Sequence, residues 1–322
     1  MDSVLRAKSE DATFGVYFIG TTPPREGVTL EKVEEVANKL VARFDKIDYD
    51  GLIVYDIQDE SSRTDVKRPF PFNRTFEPCH YSQILGTKTN KPVITYKSVS
   101  SRNAAEFNQW LATSWKDYGV RDIVLVGSPS SQGQKKLSLT DAYNVQKNHP
   151  NNYYVGGVTI AERHAKKGDE HLRLIEKDRQ GCEYFISQAV YDAPATIDML
   201  SSYARECRAQ GIRPKRMILT FTPCGSEKTL DFMDWLGISI PEATKWRILE
   251  SKNPLSESIK VCRNNLNQII EAVMPLNIPL GLNIESLTNR KEEIDAAIRL
   301  YKLLKATLDL ALAERELVSI TK

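Results

Sequence analysis

The chain has no run of about 18 apolar residues, so nothing in it reads as a membrane-spanning helix. Its first residues, Met1-Asp-Ser-Val-Leu-Arg-Ala-Lys-Ser-Glu10, lack the apolar core of a secretory signal. Net charge is only +2, so no electrostatic argument favours a nucleic acid or a membrane surface as partner. The five cysteines (Cys79, Cys182, Cys207, Cys224, Cys262) are odd in number, scattered and without a Cys-x-x-Cys pair. That pattern reads as reduced thiols in a cytoplasmic protein rather than a disulfide framework. No His/Cys metal spacing, no Gly-x-Gly-x-x-Gly and no Walker loop is present. One Ser/Gly-containing loop, Ser128-Pro-Ser-Ser-Gln-Gly133, either cradles an anion with backbone amides or is a plain solvated turn.

What is present is an ordinary globular composition, 41% hydrophobic and 27% charged over 322 residues. The length suits one large domain or two smaller ones, with a substantial core either way. Strand and helix signals alternate throughout. Strands are predicted at Phe14–Gly20, Gly51–Tyr55, Pro92–Tyr96, Asp122–Gly127, Tyr153–Ile160, Tyr184–Ser187, Arg216–Phe221 and Pro279–Asn283. Apolar residues recur at helical spacing between them, as in Leu30, Val33, Val36, Leu40, Val41 and Phe44. Further helices are predicted near Ala104–Tyr118, Asp169–Gln180, Pro194–Gln210, Ser226–Leu236 and Arg290–Glu314. Extra helices fall between Ala243 and Met274.

Most of the strands are apolar throughout rather than alternating, the pattern of parallel strands covered on both faces. Eight such βα units predict an α/β fold, a (β/α)8 TIM barrel occupying 1–322 as a single domain, with extra helices between strands seven and eight. A doubly wound open sheet is the other reading. The connection from Asp56 to Gly86 is long and rich in Arg, Pro and Phe. It is expected to cap the C-terminal end of the barrel or to carry an oligomer contact.

Barrel chemistry gathers where strands end, and those residues form the shortlist. Gln188 closes the sixth strand, where a polar amide is preorganised to meet a ligand or, alternatively, ties neighbouring loops. Glu162, Asp56 and Glu285 are the acids at strand ends and the candidate proton donors; Glu162 alternatively pairs with Arg163 or a neighbour. His164 is either a contact to a phosphate or cofactor edge or a solvated loop residue. Lys177 either reaches a pyrophosphate or pairs with an acid on its helix. Tyr17 is expected to fill the barrel. Cys224 lacks a partner histidine and is not expected to be a nucleophile. Gly127 is expected to permit close backbone approach at a βα turn.

The run Gln180-Gly-Cys-Glu-Tyr-Phe-Ile-Ser-Gln-Ala-Val-Tyr-Asp192 resembles the helix–strand–Gln–aromatic–Asp signature of the methylenetetrahydrofolate reductases. The likeness is collinear along nearly the whole chain. Thr21-Thr-Pro-Pro-Arg25 is similar to the family's Phe-Phe-Pro-Pro-Arg, and Val126-Gly-Ser-Pro129 to its Arg-Gly-Asp-Pro. Glu162-Arg-His164 falls at the family's strand-five turn. Glu170, Leu174, Glu176, Lys177 and Gly181 match the following helix, and Asn289-Arg290 the turn after the last strand.

The resemblance implies a folate one-carbon oxidoreductase, with hydride delivered by FAD or directly by NAD(P)H. It implies Gln188, Ser128 and Arg290 as folate contacts and Thr95, Gly127, His164 and Lys177 as cofactor contacts. It also implies that the chain, which stops at Lys322, lacks the regulatory domain of the eukaryotic reductases. The departures bear on activity. Gly20 stands where the family carries its proton-donating Glu, Ser128 where it carries an Asp between flavin and pterin, and Val126 where it carries an Arg. Of the family's strand-three His-Leu-Thr only Thr95 survives, in Val93-Ile-Thr95. Three functions therefore stand side by side. They are a divergent reductase acting on a folate one-carbon unit, a folate-binding barrel without reduction that acts as a partner subunit or homo-oligomer, and a repurposed enzyme with another substrate whose acid is supplied by Glu162 or Asp56.

Overall fold

A computed structural model describes residues 4–8, 10–60, 64–128 and 136–320. The predicted runs become β1 (Tyr17–Thr21), β2 (Gly51–Val54), β3 (Val93–Ser98), β4 (Asp122–Val126), β5 (Tyr154–Thr159), β6 (Tyr184–Ala189), β7 (Arg216–Phe221) and β8 (Leu280–Ile284). They hydrogen-bond in chain order and close into a barrel. Its strands are buried along almost their whole length, which is why their sequences do not alternate. The helices are α1 (Val4–Ala7), α2 (Leu30–Phe44), α3 (Pro78–Thr89), α4 (Ala104–Lys116), α5 (Leu139–Lys147), α6 (Ala161–Lys167), α7 (Glu170–Arg179), α8 (Ala193–Gln210), α9 (Glu227–Trp235), α10 (Glu242–Leu249), α11 (Pro254–Val273) and α12 (Lys291–Ile320). Among the described residues no helix is long and apolar enough to cross a membrane.

Two compact units divide the chain. The first comprises Met1–Arg6, Ile19–Val158 and Lys177–Glu183; the second comprises Ala7–Phe18, Thr159–Glu176 and Tyr184–Lys322. In the first, β2, β3, β4 and β5 pair in parallel, with Ile53 opposite Ile94, Thr95 opposite Ile123 and Ile123 opposite Val155. Helix α4 opens on a capping box: the Asn103 side chain accepts from the Glu106 amide while the Glu106 carboxylate accepts from the Asn103 amide.

In the second unit β6, β7 and β8 pair in parallel. Arg216, fully buried at the start of β7, donates to the carbonyls of Lys8, Asp11, Phe14 and Leu280. Four carbonyls around one guanidinium fasten residues 8–14 to β7 and β8 and satisfy a charge that burial would otherwise penalise. Gly281 in β8 lets the chain pass close to Val16: a Cβ there would lie 2.4 Å from Val16 Cγ2 and 2.9 Å from its carbonyl oxygen.

Several expectations need correcting. The Asp56–Gly86 connection is not structureless to its end, because α3 begins at Pro78, a residue suited to a first helical turn. Its sequence, Pro-Cys-His-Tyr-Ser-Gln-Ile-Leu-Gly-Thr-Lys-Thr, carries almost no helical apolar periodicity. Residues 161–167 form helix α6 rather than a bare turn, and α5 was not anticipated. The helix that packs on α8 and α12 after β7 is α11, so the additions to the barrel plan are α9 and α10. Tyr17 does not fill the barrel: its hydroxyl donates to Asp309 of α12, and Lys305 lies over its ring at 4.4 Å.

Candidate functional site

In the first unit Asp56 follows β2 and is held by three donors. Its Oδ1 accepts from Gln58 Nε2 at 2.8 Å, its Oδ2 accepts from the Ser98 amide at 2.9 Å, and Lys97 Nζ stands 3.6 Å away. Lys97, 5% exposed, also lies 3.5 Å from Glu77 and over the Trp110 ring at 5.3 Å. A carboxylate so surrounded acts as an acceptor bracing β2 against β3. The Thr95 hydroxyl donates to Ser82 of α3 at 2.8 Å, and Lys177 donates to the Val158 carbonyl. A Cβ at Gly127 would meet Leu139 at an ordinary 3.6 Å, so no close backbone approach requires glycine there. Ser128 is half-buried at the edge of the described chain, and the Ser/Gly loop beyond it, 129–133, lies outside the described residues. The Thr95 hydroxyl and the Lys177 ammonium thus each have a partner within the protein. Gly20 is buried within β1.

The second unit gathers a different set. β6 runs two residues beyond its predicted end and carries a bulge. Ile186 faces Ile218, but Ala189 faces Thr220, so one extra residue sits on β6. The Ser187 hydroxyl repairs the ladder by accepting from the Thr220 amide at 2.9 Å and donating to the Gln188 carbonyl at 2.7 Å. Bulges re-aim side chains next to functional sites, and here the re-aimed residue is Gln188. Its Nε2 donates to the Leu236 carbonyl at 2.8 Å. Glu162, in the first turn of α6, accepts from the Ser239 amide at 3.1 Å. Burial pushes its carboxyl pKa up, and the charge of Asp192 adds to the shift against the opposing pull of its hydrogen bonds and of Lys166. Asp192 caps α8 by accepting from the Ala195 amide at 3.0 Å. Gln188, Glu162 and the turn Leu236–Ser239 therefore converge, with Asp192 as a charged neighbour of Glu162.

The remaining predicted residues of this unit are placed as follows. His164 is buried in α6 rather than in a solvated loop, with its ring 5.1 Å from that of His171. Arg290 is exposed just before α12, its amide donating to Thr288 Oγ1 at 3.3 Å. Glu285 is half-buried, its amide donating to the Phe221 carbonyl. Cys224 is buried and its thiol is pushed up to about 12, chiefly by desolvation, which removes it as a nucleophile at neutral pH.

Sequence reasoning missed the buried acid Glu293 and placed Glu170 only as part of a helix match. Glu293 accepts from Thr229 at 3.1 Å and Thr288 at 2.5 Å. Glu170 accepts from the Ile160 amide at 3.1 Å and lies 3.9 Å from Arg163. It also missed the turn Leu236–Ser239, for which only Gly237 after the helix gave a signal.

No protein-family model matches the chain, and no curated protein matches it. Among solved structures, a putative lyase/mutase from Burkholderia cenocepacia is 13% identical with a TM-score of 0.41, covering 70% of this chain and 75% of that one. N-(5'-phosphoribosyl)anthranilate isomerase from Pyrococcus furiosus is 13% identical with a TM-score of 0.43, covering 90% and 99%. At these values the likeness says nothing of activity or ligand. An uncharacterized protein from Clostridium thermocellum that binds two copies of 5-methyl-5,6,7,8-tetrahydrofolic acid is different. It is 36% identical with a TM-score of 0.81, and the match covers 94% of this chain and 100% of that one. The chain belongs to the same family as this Clostridium thermocellum protein.

Proposed function

We propose that this protein binds a reduced folate, with the Gln188 amide reading the pterin edge. The observation that carries the reading is its 36% identity, across 94% of its length, with a protein that binds 5-methyl-5,6,7,8-tetrahydrofolic acid. Gln188 supports it: a side-chain amide offers a donor and an acceptor in one plane, which matches the paired polar edge of a pterin. The bulge and the Ser187 hydrogen bonds hold that amide's backbone in place before any ligand arrives.

The reading extends to chemistry of the kind the methylenetetrahydrofolate reductase resemblance implies. Reducing a methylene bridge between N5 and N10 to an N5-methyl group needs a proton on N10, to open the ring to an iminium, and a hydride on the carbon. Gly20 cannot supply that proton. Glu162 is the acid of the second unit suited to it, because burial raises its pKa toward the range in which a carboxyl donates. The hydride would be that of a reduced nicotinamide. Gly20 and Ser128 favour a second reading, a barrel that retains the folate and has lost the reduction.

One pair of measurements separates the two. Calorimetric titration with 5-methyltetrahydrofolate should show binding by the purified protein, and Gln188→Glu should weaken it. Methylenetetrahydrofolate with NADH or NADPH should then be followed for oxidation of the nicotinamide. Turnover lost in Glu162→Gln while the variant still binds folate supports the reductase. Binding without turnover supports the folate-holding barrel. Absence of binding defeats both.

A further inference from the structure

We propose that the turn Leu236–Ser239 is a strap that occupies the recognition groups of the free protein and is displaced when the folate binds. The inference rests on the folate reading above and adds to it a conformational step and the chemistry of the edge recognised. The two side chains of the second unit best suited to meet a ligand are both spent on this one turn. Gln188 Nε2 gives its hydrogen bond to the Leu236 carbonyl at 2.8 Å. The Glu162 carboxylate takes its hydrogen bond from the Ser239 amide at 3.1 Å. The turn thus presents a carbonyl acceptor to the amide and an N–H donor to the acid. That pairing is the hydrogen-bonding edge of a cyclic amide, and the pyrimidinone ring of a pterin carries such an edge. A pterin that engages both residues must supply what the turn now supplies.

The turn is held at its root by the Leu236, Gly237 and Ile238 amides, which donate to the Phe232, Asp234 and Met233 carbonyls of α9. It joins α9 to α10, the two helices added to the barrel plan between β7 and α11. Gly237 adopts φ +81, a left-handed conformation that ends α9 and that side chains rarely take. Leu236 is half-buried, whereas Gly237 and Ser239 are exposed. Its inner anchors, Trp235 and Ile238, are buried, so the strap has an apolar root and a polar, exchangeable tip. With the root kept, release of the tip costs the two side-chain hydrogen bonds, which the ligand restores, so the exchange lowers apparent affinity without forbidding binding.

The test combines amide hydrogen exchange with one variant. In the free protein the Ser239 amide should be protected, and saturating 5-methyltetrahydrofolate should speed its exchange by about tenfold or more. Ser239→Pro removes the N–H that Glu162 accepts, and should raise folate affinity by about 5–10-fold by untying the strap. Thermal unfolding checks that the variant is folded; the exchange measurement on the natural protein stands without it. Folate binding with Ser239 equally protected in both states overturns the strap and leaves the folate reading intact. Unchanged or weaker affinity in a folded Ser239→Pro does the same. If no folate binds, the folate reading fails and the strap fails with it.

Discussion

Gln188 and Glu162 carry the chemistry at the scale of single residues. Gln188→Glu keeps the size of the side chain but replaces its donor with an acceptor. Affinity for 5-methyltetrahydrofolate should fall by about 1–3 kcal/mol, with only a modest fall in melting temperature from loss of the hydrogen bond to the Leu236 carbonyl. A large loss of stability with affinity unchanged would assign Gln188 to the scaffold.

Glu162 gives a pH signature whose sign is unusual for an acid. Its pKa in the folded protein is raised above the ordinary value, mainly by burial. The folded state therefore holds its proton more tightly than the unfolded chain does. Any stability linked to it is present below the unfolded pKa and is lost as pH rises through the folded pKa. Glu162→Gln removes that dependence. Its melting temperature relative to the natural protein should be nearly constant below the ordinary carboxyl pKa, shift in the variant's favour as pH rises through the folded pKa, and then level off. A difference that stays flat with pH would show that Glu162 is not held in this way.

At the scale of the element, two features of the second unit are exposed to simple tests. The β6 bulge depends on the Ser187 hydroxyl, which accepts from the Thr220 amide at 2.9 Å. Ser187→Ala leaves a buried N–H without that partner, and should cost about 1–3 kcal/mol in chemical denaturation. It should also weaken folate binding, because the backbone that aims Gln188 loses its brace. The approach of β8 to Val16 depends on Gly281. Gly281→Ala forces a Cβ to 2.9 Å from a backbone oxygen that already accepts from the Leu282 amide. A loss on the order of 1–3 kcal/mol or more is expected, since strand backbone yields less readily than a side chain. The helices differ in kind. α11 packs on α8 and α12 as a barrel helix, whereas α9 and α10 carry the strap.

For the molecule as a whole, the functional reading makes two linked predictions. Val126 and Ser128 stand where the reductases that the sequence resembles carry an Arg and an Asp, so the purified protein should show no stoichiometric flavin absorbance near ~450 nm, a property of the cofactor rather than of the chain. Added 5-methyltetrahydrofolate at 100 times its dissociation constant should stabilise the folded state by about 2.7 kcal/mol, read as a concentration-dependent rise in melting temperature. A yellow protein that survives desalting would show that other contacts hold FAD. A melting temperature indifferent to folate would count against the ligand.

The sequence by itself determined the barrel. Eight apolar runs at regular intervals, each followed by a helical pattern, leave few other ways to bury both faces of so many strands. It also singled out Gln188 and Glu162, because polar residues at the ends of apolar strands are visible without coordinates. What it could not decide were properties that depend on distant segments meeting. Tyr17 reads as core in isolation and becomes a donor to Asp309 only because α12 lies across it. Asp56 reads as a free acid until Lys97 and the Ser98 amide close on it. Which helix completes the β7 unit is likewise set by packing, because α9 and α11 carry similar local signals and α11 packs along both α8 and α12. The strap belongs to the same class: its hydrogen bonds join residues 48 and 77 positions apart, and no local pattern encodes such a meeting. Local periodicity follows from the backbone's own geometry, whereas the pairing of particular polar atoms is fixed only when the folded chain excludes water and each buried group must find a partner.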